Sequence, residues 1–328
     1  MGSKRIEWID LAKGFCIILV VLNHASELLD HTYPFALQLR TFRMPLYFIL
    51  SWLFFKQYEG FNGFLKRKIN KLLIPFLFFY IVTSSVPYWI LHHESEWPIF
   101  FENGPVYNYA IWFLLCLFEV NVLFYFIQLT AGVMSKRFKP VIVLALTIVC
   151  GVAGLLLSVY HLRIPFFVDT ALTASPFFGF GWWLRNHSMF LTYKVNLYRD
   201  VSLLLGCGLI VWLFASKVDY STNDYALDGI WYIHLTGIAG TITVLTISRL
   251  INRIPVISIW GRYSIMILCS HIVVILALIH LLGNRLSGGV LFVAVFVTTL
   301  AICHFLIPLM KRYMPHVTAQ KDVIKIEK

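Results

Sequence analysis

Long apolar runs, separated by short polar breaks, make up most of this 328-residue chain. A run of about 20 apolar residues can cross a bilayer as a helix, because a helix satisfies its own backbone hydrogen bonds. Only 13% of the residues are charged, about half the share found in soluble domains. The candidate spans are 9–29, 42–56, 72–91, 108–130, 140–160, 165–184, 201–216, 229–249, 263–282 and 289–310. The sequence therefore predicts an all-α, polytopic membrane protein with about ten transmembrane helices. We expect residues 1–328 to form a single integral-membrane domain with no appended soluble domain.

The basic residues indicate how such a bundle is oriented. With a cytoplasmic N-terminus, 22 of the 27 Lys and Arg residues fall in cytoplasmic segments. The positive-inside rule then predicts that both termini are cytoplasmic. We expect the protein to cross the cell's inner (plasma) membrane many times. A net charge of +11 fits basic loops that face anionic membrane lipids, so we expect no nucleic-acid partner.

The cysteines give no sign of a metal or a disulfide framework. All six lie inside apolar runs, none belongs to a CxxC pair, and none sits near a histidine at metal-ligand spacing. We expect buried thiols and no metal site.

The first apolar run carries polar residues on one face. Lys13 and His24 are eleven residues apart, close to three helical turns, so both side chains project from one side about 16 Å apart. Asp10 precedes Lys13 by one turn and shares this face. A cation and an imidazole inside a membrane helix are costly unless they face protein or a wet cavity. A capping Asp10, a snorkelling Lys13 and a core His24 would each be ordinary alone, but together they favour a functional site.

This opening pattern resembles the first-helix signature of the membrane acyltransferase 3 family, which has an arginine and a histidine separated by ten residues. Lys13 takes the arginine position here, and Trp52 replaces a glycine that the family commonly has. Further similar segments follow in the same order along nearly the whole chain. They are 43–54, the basic stretch 66–75, Trp112-Phe113-Leu114, 176–181, and Gly261-Arg262-Tyr263-Ser264 followed by His271. Within the family, the chain is most similar to stand-alone, fucose 4-O-acetylase-like sugar O-acetyltransferases.

The resemblance implies transfer of an acetyl group from acetyl-CoA to a hydroxyl of a cell-surface polysaccharide or lipid-linked sugar. His24 is then the expected general base, because imidazole titrates near neutral pH. The other catalytic candidates are Asp10 and Glu119, a carboxylate in the middle of the fourth span. Expected ligands of the polyanionic coenzyme are Lys13, Lys68, Lys71 and Arg262. Expected acceptor-binding residues are Arg43, Tyr47, Ser51 and His271. Direct transfer and a covalent acetyl-enzyme on His24 or Ser51 both remain open.

Two other functions are compatible with the same residues. A transporter or flippase for a lipid-linked sugar would also use a wet cavity with charged walls, and a receptor-like protein would use its polar residues structurally. The basic stretch 66–71 favours the enzyme, because a flippase needs no cradle for a polyanion. The sequence leaves a homodimer open.

Overall fold

A computed structural model describes residues 6–53, 55, 60–85, 108–187, 195–218 and 230–325. Every regular element in these ranges is helical, which confirms the all-α prediction. The first six α-helices are α1 (Glu7–Leu28), α2 (Ala36–Leu53), α3 (Gly60–Lys68), α4 (Ile74–Tyr80), α5 (Trp112–Met134) and α6 (Lys139–Val159). They are followed by α7 (Val168–His187), α8 (Leu197–Phe214), α9 (Ile230–Ile251), α10 (Pro255–Arg262), α11 (Ser264–Leu282) and α12 (Gly288–Tyr313).

Seven helices among the described residues are long and apolar enough to cross a membrane. They correspond to α1, α5, α6, α8, α9, α11 and α12, which supports a multi-pass membrane protein. The other three predicted spans, 42–56, 72–91 and 165–184, also overlap helices. Two of these helices carry charged residues: α2 contains two arginines, and α7 contains Asp169 and Arg185. The predicted span 72–91 overlaps α4 and the π-helical turns on either side of it, Ile69–Leu73 and Ile81–Ser85. Residues 86–91 of this span lie outside the described ranges. The count of ten spans and the cytoplasmic location of both termini stay predictions.

Helix α1 lies at the centre of the bundle. It contacts α2, α9, α10, α11 and α12, and residues on all its sides, such as Ile9, Leu11 and Ile17, are buried. A helix that is buried on several sides and surrounded by other helices in this way is a core helix. By contrast, α8 is peripheral, because only 11% of the residues in its apolar stretch are buried. The polar residues of α1 therefore face other helices rather than lipid.

Helices α1 and α10 approach each other closely where two glycines meet. A methyl group added to Gly261 would overlap the carbonyl oxygen of Asp10, and one added to Gly14 would overlap the carbonyl oxygen of Ile257. Glycine is needed at both positions because the two backbones are in direct contact. This contact fixes the start of α1 against α10.

We expect Gly261→Ala to lower the free energy of unfolding by about 1–3 kcal/mol, because the added methyl forces two packed backbones apart. Thermal unfolding of the protein in detergent micelles measures this as a lower midpoint. Gly206→Ala is the matched control, since nothing lies within 4 Å of a methyl group at that position of α8. A Gly261→Ala protein as stable as the Gly206→Ala protein would contradict the close-contact interpretation.

The carboxyl-terminal segment folds back onto the π-helical turn Ile69–Leu73. The side-chain oxygen of Asn70 accepts hydrogen bonds from the backbone N–H groups of Val323 and Ile324, each at 2.9 Å. Its amide nitrogen donates to the Ile324 carbonyl, also at 2.9 Å. Asn70 is buried, so this chain segment forms part of the packed structure at that end of the bundle.

Candidate active site

A cavity of about 370 Å³ opens at the end of the bundle where lysines and arginines cluster. We call it the basic cavity. Its cationic lining residues are Lys13, Arg67, Lys68 and Lys71. Its polar lining residues are Tyr47, Ser51, Asn121 and Ser264. The volume falls in the range of small-molecule sites.

The lysines of the basic cavity are held in different ways. Lys68 is half-buried, with its Nζ 5.3 Å from the centroid of the Phe55 ring and 5.6 Å from that of Phe64. Burial lowers the pKa of Lys68 to about 8. Lys71 Nζ donates to the carbonyl oxygen of Ala319 at 2.7 Å and pairs with Asp322 Oδ1 at 3.1 Å. The carboxyl-terminal segment thus supplies counter-charge beside the cavity.

A second cavity, of about 160 Å³, surrounds the other polar end of α1. We call it the histidine cavity. Its polar lining residues are His24, Glu27, Arg40, Arg43, Tyr109, Trp112, Thr170 and Thr173. Apolar side chains of α1, α2, α5, α7, α9 and α11 complete the wall.

In the histidine cavity, His24 forms a hydrogen-bonded pair with Glu27. His24 Nδ1 lies 3.1 Å from Glu27 Oε2, and Arg43 Nη2 lies 4.0 Å from Glu27 Oε1. An ionised carboxylate accepts hydrogen bonds and does not donate them, so Nδ1 of a neutral His24 carries the proton. Nε2 then keeps a lone pair, and the arrangement matches a general base oriented by a carboxylate.

Two aromatic rings hold the His24 imidazole in place. The Tyr109 ring packs edge-on, with its centroid 4.9 Å away, and the His271 ring lies 5.2 Å away. His271 is fully buried, and its Nδ1 donates to the Ile267 carbonyl at 2.9 Å. His271 therefore packs against the candidate base and does not line either of the two cavities.

The two cavities meet at a common wall. Phe113 of α5 and Leu268 of α11 line both of them. These two side chains therefore lie between the basic cavity and the His24 side of the bundle. The stripe from Lys13 to His24 on α1 runs alongside both cavities.

The structure distributes the predicted site residues over two cavities. Lys13, Lys68 and Lys71 line the basic cavity as expected, and His24 and Arg43 line the histidine cavity. Tyr47 and Ser51, which were expected to bind the acceptor, line the basic cavity instead. His271 contacts the imidazole of His24.

Four predicted site residues lie outside both cavities, namely His271, which packs against His24, and also Asp10, Arg262 and Glu119. Asp10 Oδ2 is 3.5 Å from Arg262 Nε, and Arg262 Nη2 is 3.5 Å from Glu7 Oε1, so these charges tie α1 to α10. Asp10 is also fourteen residues from His24, about 21 Å along α1, too far for it to act on the imidazole. Glu119 is half-buried on α5, and the carboxylate beside His24 is Glu27. The ion pairs of Asp10 and Arg262 give these two residues a structural contact, while the catalytic roles of Asp10 and Glu119 and the coenzyme contact of Arg262 stay predictions.

Sequence reasoning missed Glu27, Tyr109 and Asn121 as site residues. Glu27 follows His24 by three residues, and this spacing on one helix face is the signal that could have found it. Arg67 belongs to the basic stretch 66–71, which the sequence already indicates as a cradle for a polyanion, and it lines the basic cavity. Tyr109 belongs to the 3-10 turn Tyr109–Ile111, which packs against α11, and Asn121 belongs to α5, which packs against the π-helical turn Ile69–Leu73. No local sequence pattern reveals these contacts.

The arrangement combines a cationic cavity with a candidate base in the neighbouring cavity. Lysines and an arginine bind phosphate groups, and an oriented imidazole removes a proton from an alcohol. No group of three His, Cys, Asp or Glu side chains among the described residues could hold a metal ion. The geometry thus suits a transfer reaction between a polyanionic donor and a hydroxyl acceptor.

Comparison with known protein families identifies the family of this chain. The family model of the type 3 acyltransferases, described as an acyltransferase domain, matches residues 6–307, which is most of the chain. No curated protein and no solved structure matches the chain. With its apolar helices, the chain is a multi-pass membrane acyltransferase. It belongs to the membrane acyltransferase 3 family.

Proposed function

We propose that this acyltransferase moves an acetyl group from acetyl-CoA to a hydroxyl of a cell-surface polysaccharide or lipid-linked sugar, as fucose 4-O-acetylase-like enzymes do. The observation that carries the proposal is the common wall of the two cavities. The basic cavity suits the coenzyme, and Phe113 and Leu268 bring it next to the cavity that contains His24. The inner membrane is the proposed location, with the basic cavity open to the cytoplasm.

The donor would bind with its phosphates at the cationic end. Lys13, Arg67 and Lys68 supply positive charge at the lining of the basic cavity. Lys71 would leave its ion pair with Asp322 and bind a phosphate oxygen instead. The pantetheine arm would extend along the cavity toward Phe113. Its thioester would then lie at the common wall of the two cavities.

At the wall, His24 would act as general base. His24 Nε2 takes the proton of the acceptor hydroxyl as its oxygen attacks the thioester carbon. The new C–O bond forms, the C–S bond breaks, and the thiolate of CoA leaves and recovers the proton from His24. Glu27 stabilises the positive charge that develops on the imidazole. Arg43 lies beside the other carboxylate oxygen of Glu27 and stabilises its negative charge.

The size of the histidine cavity supports a short acyl group. Its volume of about 160 Å³ is below the roughly 300–1,000 Å³ typical of sites that enclose a whole ligand. It would therefore admit an acetyl group and the hydroxyl-bearing edge of a larger glycan. The remainder of the glycan would stay outside the cavity.

The proposal is tested with purified protein in nanodiscs, radiolabelled acetyl-CoA and a lipid extract that contains membrane glycans. We expect label in the glycan fraction and competition by unlabelled CoA. Binding of CoA without transfer to any glycan would contradict the proposed acceptor class. Absence of CoA binding would contradict the proposed donor.

The pH dependence of CoA binding follows from Lys68, which lies outside the seven candidate spans. Burial lowers the pKa of Lys68 to about 8, so its positive charge is present below pH 8 and is lost as the pH rises through that value. We expect CoA affinity to fall about tenfold above pH 8, the typical effect of one charge-assisted contact. The Lys68→Arg protein keeps its charge and should bind equally well at pH 7 and pH 9. An equal decline in both proteins would assign the effect to another group.

A further inference from the structure

Asn121 is a buried polar side chain that the proposed acetyl transfer does not yet use. It lies in the middle of α5, is only 1% exposed and lines the basic cavity. Polar groups at this depth of a membrane protein are costly, and those that persist commonly serve function. We therefore expect a ligand bound in the cavity to supply a hydrogen-bond partner for Asn121.

The two ends of the Asn121 amide differ in their contacts. Nδ2 donates to the Leu117 carbonyl of the same helix at 2.6 Å. Oδ1 is buried and has no hydrogen-bond partner among the described residues. Turning the amide to satisfy the oxygen would break the bond to Leu117. The acceptor oxygen thus stays unpaired, and because Asn121 lines the basic cavity, a donor that enters the cavity could satisfy it.

The hydroxyl-bearing side chains of the basic cavity do not fill this role. Tyr47, Ser51 and Ser264 line the cavity, yet none of them hydrogen-bonds to Asn121 Oδ1. Tyr47 instead directs its hydroxyl toward the Lys13 carbonyl, at 3.5 Å. The basic cavity therefore contains cations for phosphate at one end and one unsatisfied acceptor further in.

The position of Asn121 along α5 indicates which group of the coenzyme would contact it. Asn121 follows Phe113 by eight residues, about 12 Å of helix rise toward the basic end. The pantetheine arm of CoA has two amides, one close to the sulfur and one nearer the phosphates. With the thioester at the Phe113 wall, the amide nearer the phosphates is the one that reaches this depth.

We propose that Asn121 Oδ1 accepts a hydrogen bond from the N–H of the pantetheine amide nearer the phosphates, and that this bond selects CoA-type donors over simpler thioesters. This inference rests on the proposed function. It makes Asn121 a donor-specificity residue that does not take part in the chemical step.

The test compares three donors: acetyl-CoA, S-acetylpantetheine, which keeps both amides, and S-acetyl-N-acetylcysteamine, which keeps only the amide near the sulfur. The wild type and Asn121→Leu, which has similar volume and no hydrogen-bonding atoms, are assayed in nanodiscs for thioester cleavage and for CoA binding. We expect kcat/KM to fall about tenfold for the first two donors and to stay unchanged for the third. CoA binding should weaken by the same factor.

A matched control comes from the same helix. Gln128 is buried on α5 but does not line the basic cavity, so Gln128→Leu should change none of the three kcat/KM values. If Asn121→Leu does not fold, Asn121→Ser serves as the second variant, with the same order of donors expected. An equal loss for all three donors, or no loss for acetyl-CoA, would overturn the inference. A wild-type protein that binds no CoA would instead overturn the proposed function.

Discussion

Replacing His24 by alanine is expected to lower kcat for acetyl transfer about 10²- to 10⁴-fold, the typical contribution of a positioned general base. The dissociation constant for CoA should stay unchanged, because His24 lines the histidine cavity and the coenzyme phosphates would bind about 16 Å away, near Lys13. Single-turnover transfer from labelled acetyl-CoA, together with direct CoA binding, separates these two quantities.

The control for His24 is another histidine of the same bundle. His280 is exposed on α11 and lines neither of the two cavities, so His280→Ala should retain wild-type kcat. Unchanged kcat in His24→Ala would remove the imidazole from the chemistry. Loss of CoA binding together with kcat would show that His24 acts on the donor site.

Glu27→Gln is expected to lower kcat about 10²-fold, because a neutral amide no longer stabilises the imidazolium that forms on His24. The substitution keeps the size of the side chain, so CoA binding should not change. Asp30→Asn is the matched control, since Asp30 is an exposed carboxylate three residues beyond Glu27.

The double variant decides how Glu27 acts. If Glu27 works through His24, adding Glu27→Gln to His24→Ala should lower kcat no further. Two losses that multiply would mean that Glu27 has a separate role, for example as a ligand of the acceptor.

The sequence predicts most of the helices because the apolar runs are long and uninterrupted. The predicted spans 140–160 and 263–282 agree with α6 and α11 to within about a residue at each end. The region 60–85 is harder, since two π-helical turns interrupt it without a distinct sequence signal. Helix α10, eight residues long, was missed because its role is to pack Gly261 against α1 and not to cross the membrane.

The site is only partly predictable because the face that a helix turns inward is decided by packing. Glu119 and Asn121 are two residues apart on α5, so they point to nearly opposite sides. Hydropathy draws attention to Glu119 because it is charged, whereas the fold turns Asn121 into the basic cavity. Asp10 and Lys13 share one face of α1, yet the contact with Arg262 gives Asp10 a structural role.

The pairing of His24 with Glu27 could have been found from the sequence. The spacing of three residues places both on one face of α1. Glu27 was assigned to an outer segment because it lies near the end of the apolar run, where a carboxylate is common. The position of Arg43 beside Glu27 depends on how α2 packs against α1, which only the structure supplies.

The proposed function puts the donor in the basic cavity near Lys13 and the acceptor at the histidine cavity, about 16 Å away along α1. We propose that the two substrates reach these cavities from opposite membrane faces. Sealed proteoliposomes test it, with membrane-impermeant acetyl-CoA outside and the glycan acceptor trapped inside. Molecules whose basic cavity faces outward should acetylate the trapped acceptor, and those inserted the other way meet no donor and add no signal. Acetylation only when donor and acceptor share one compartment would contradict the claim.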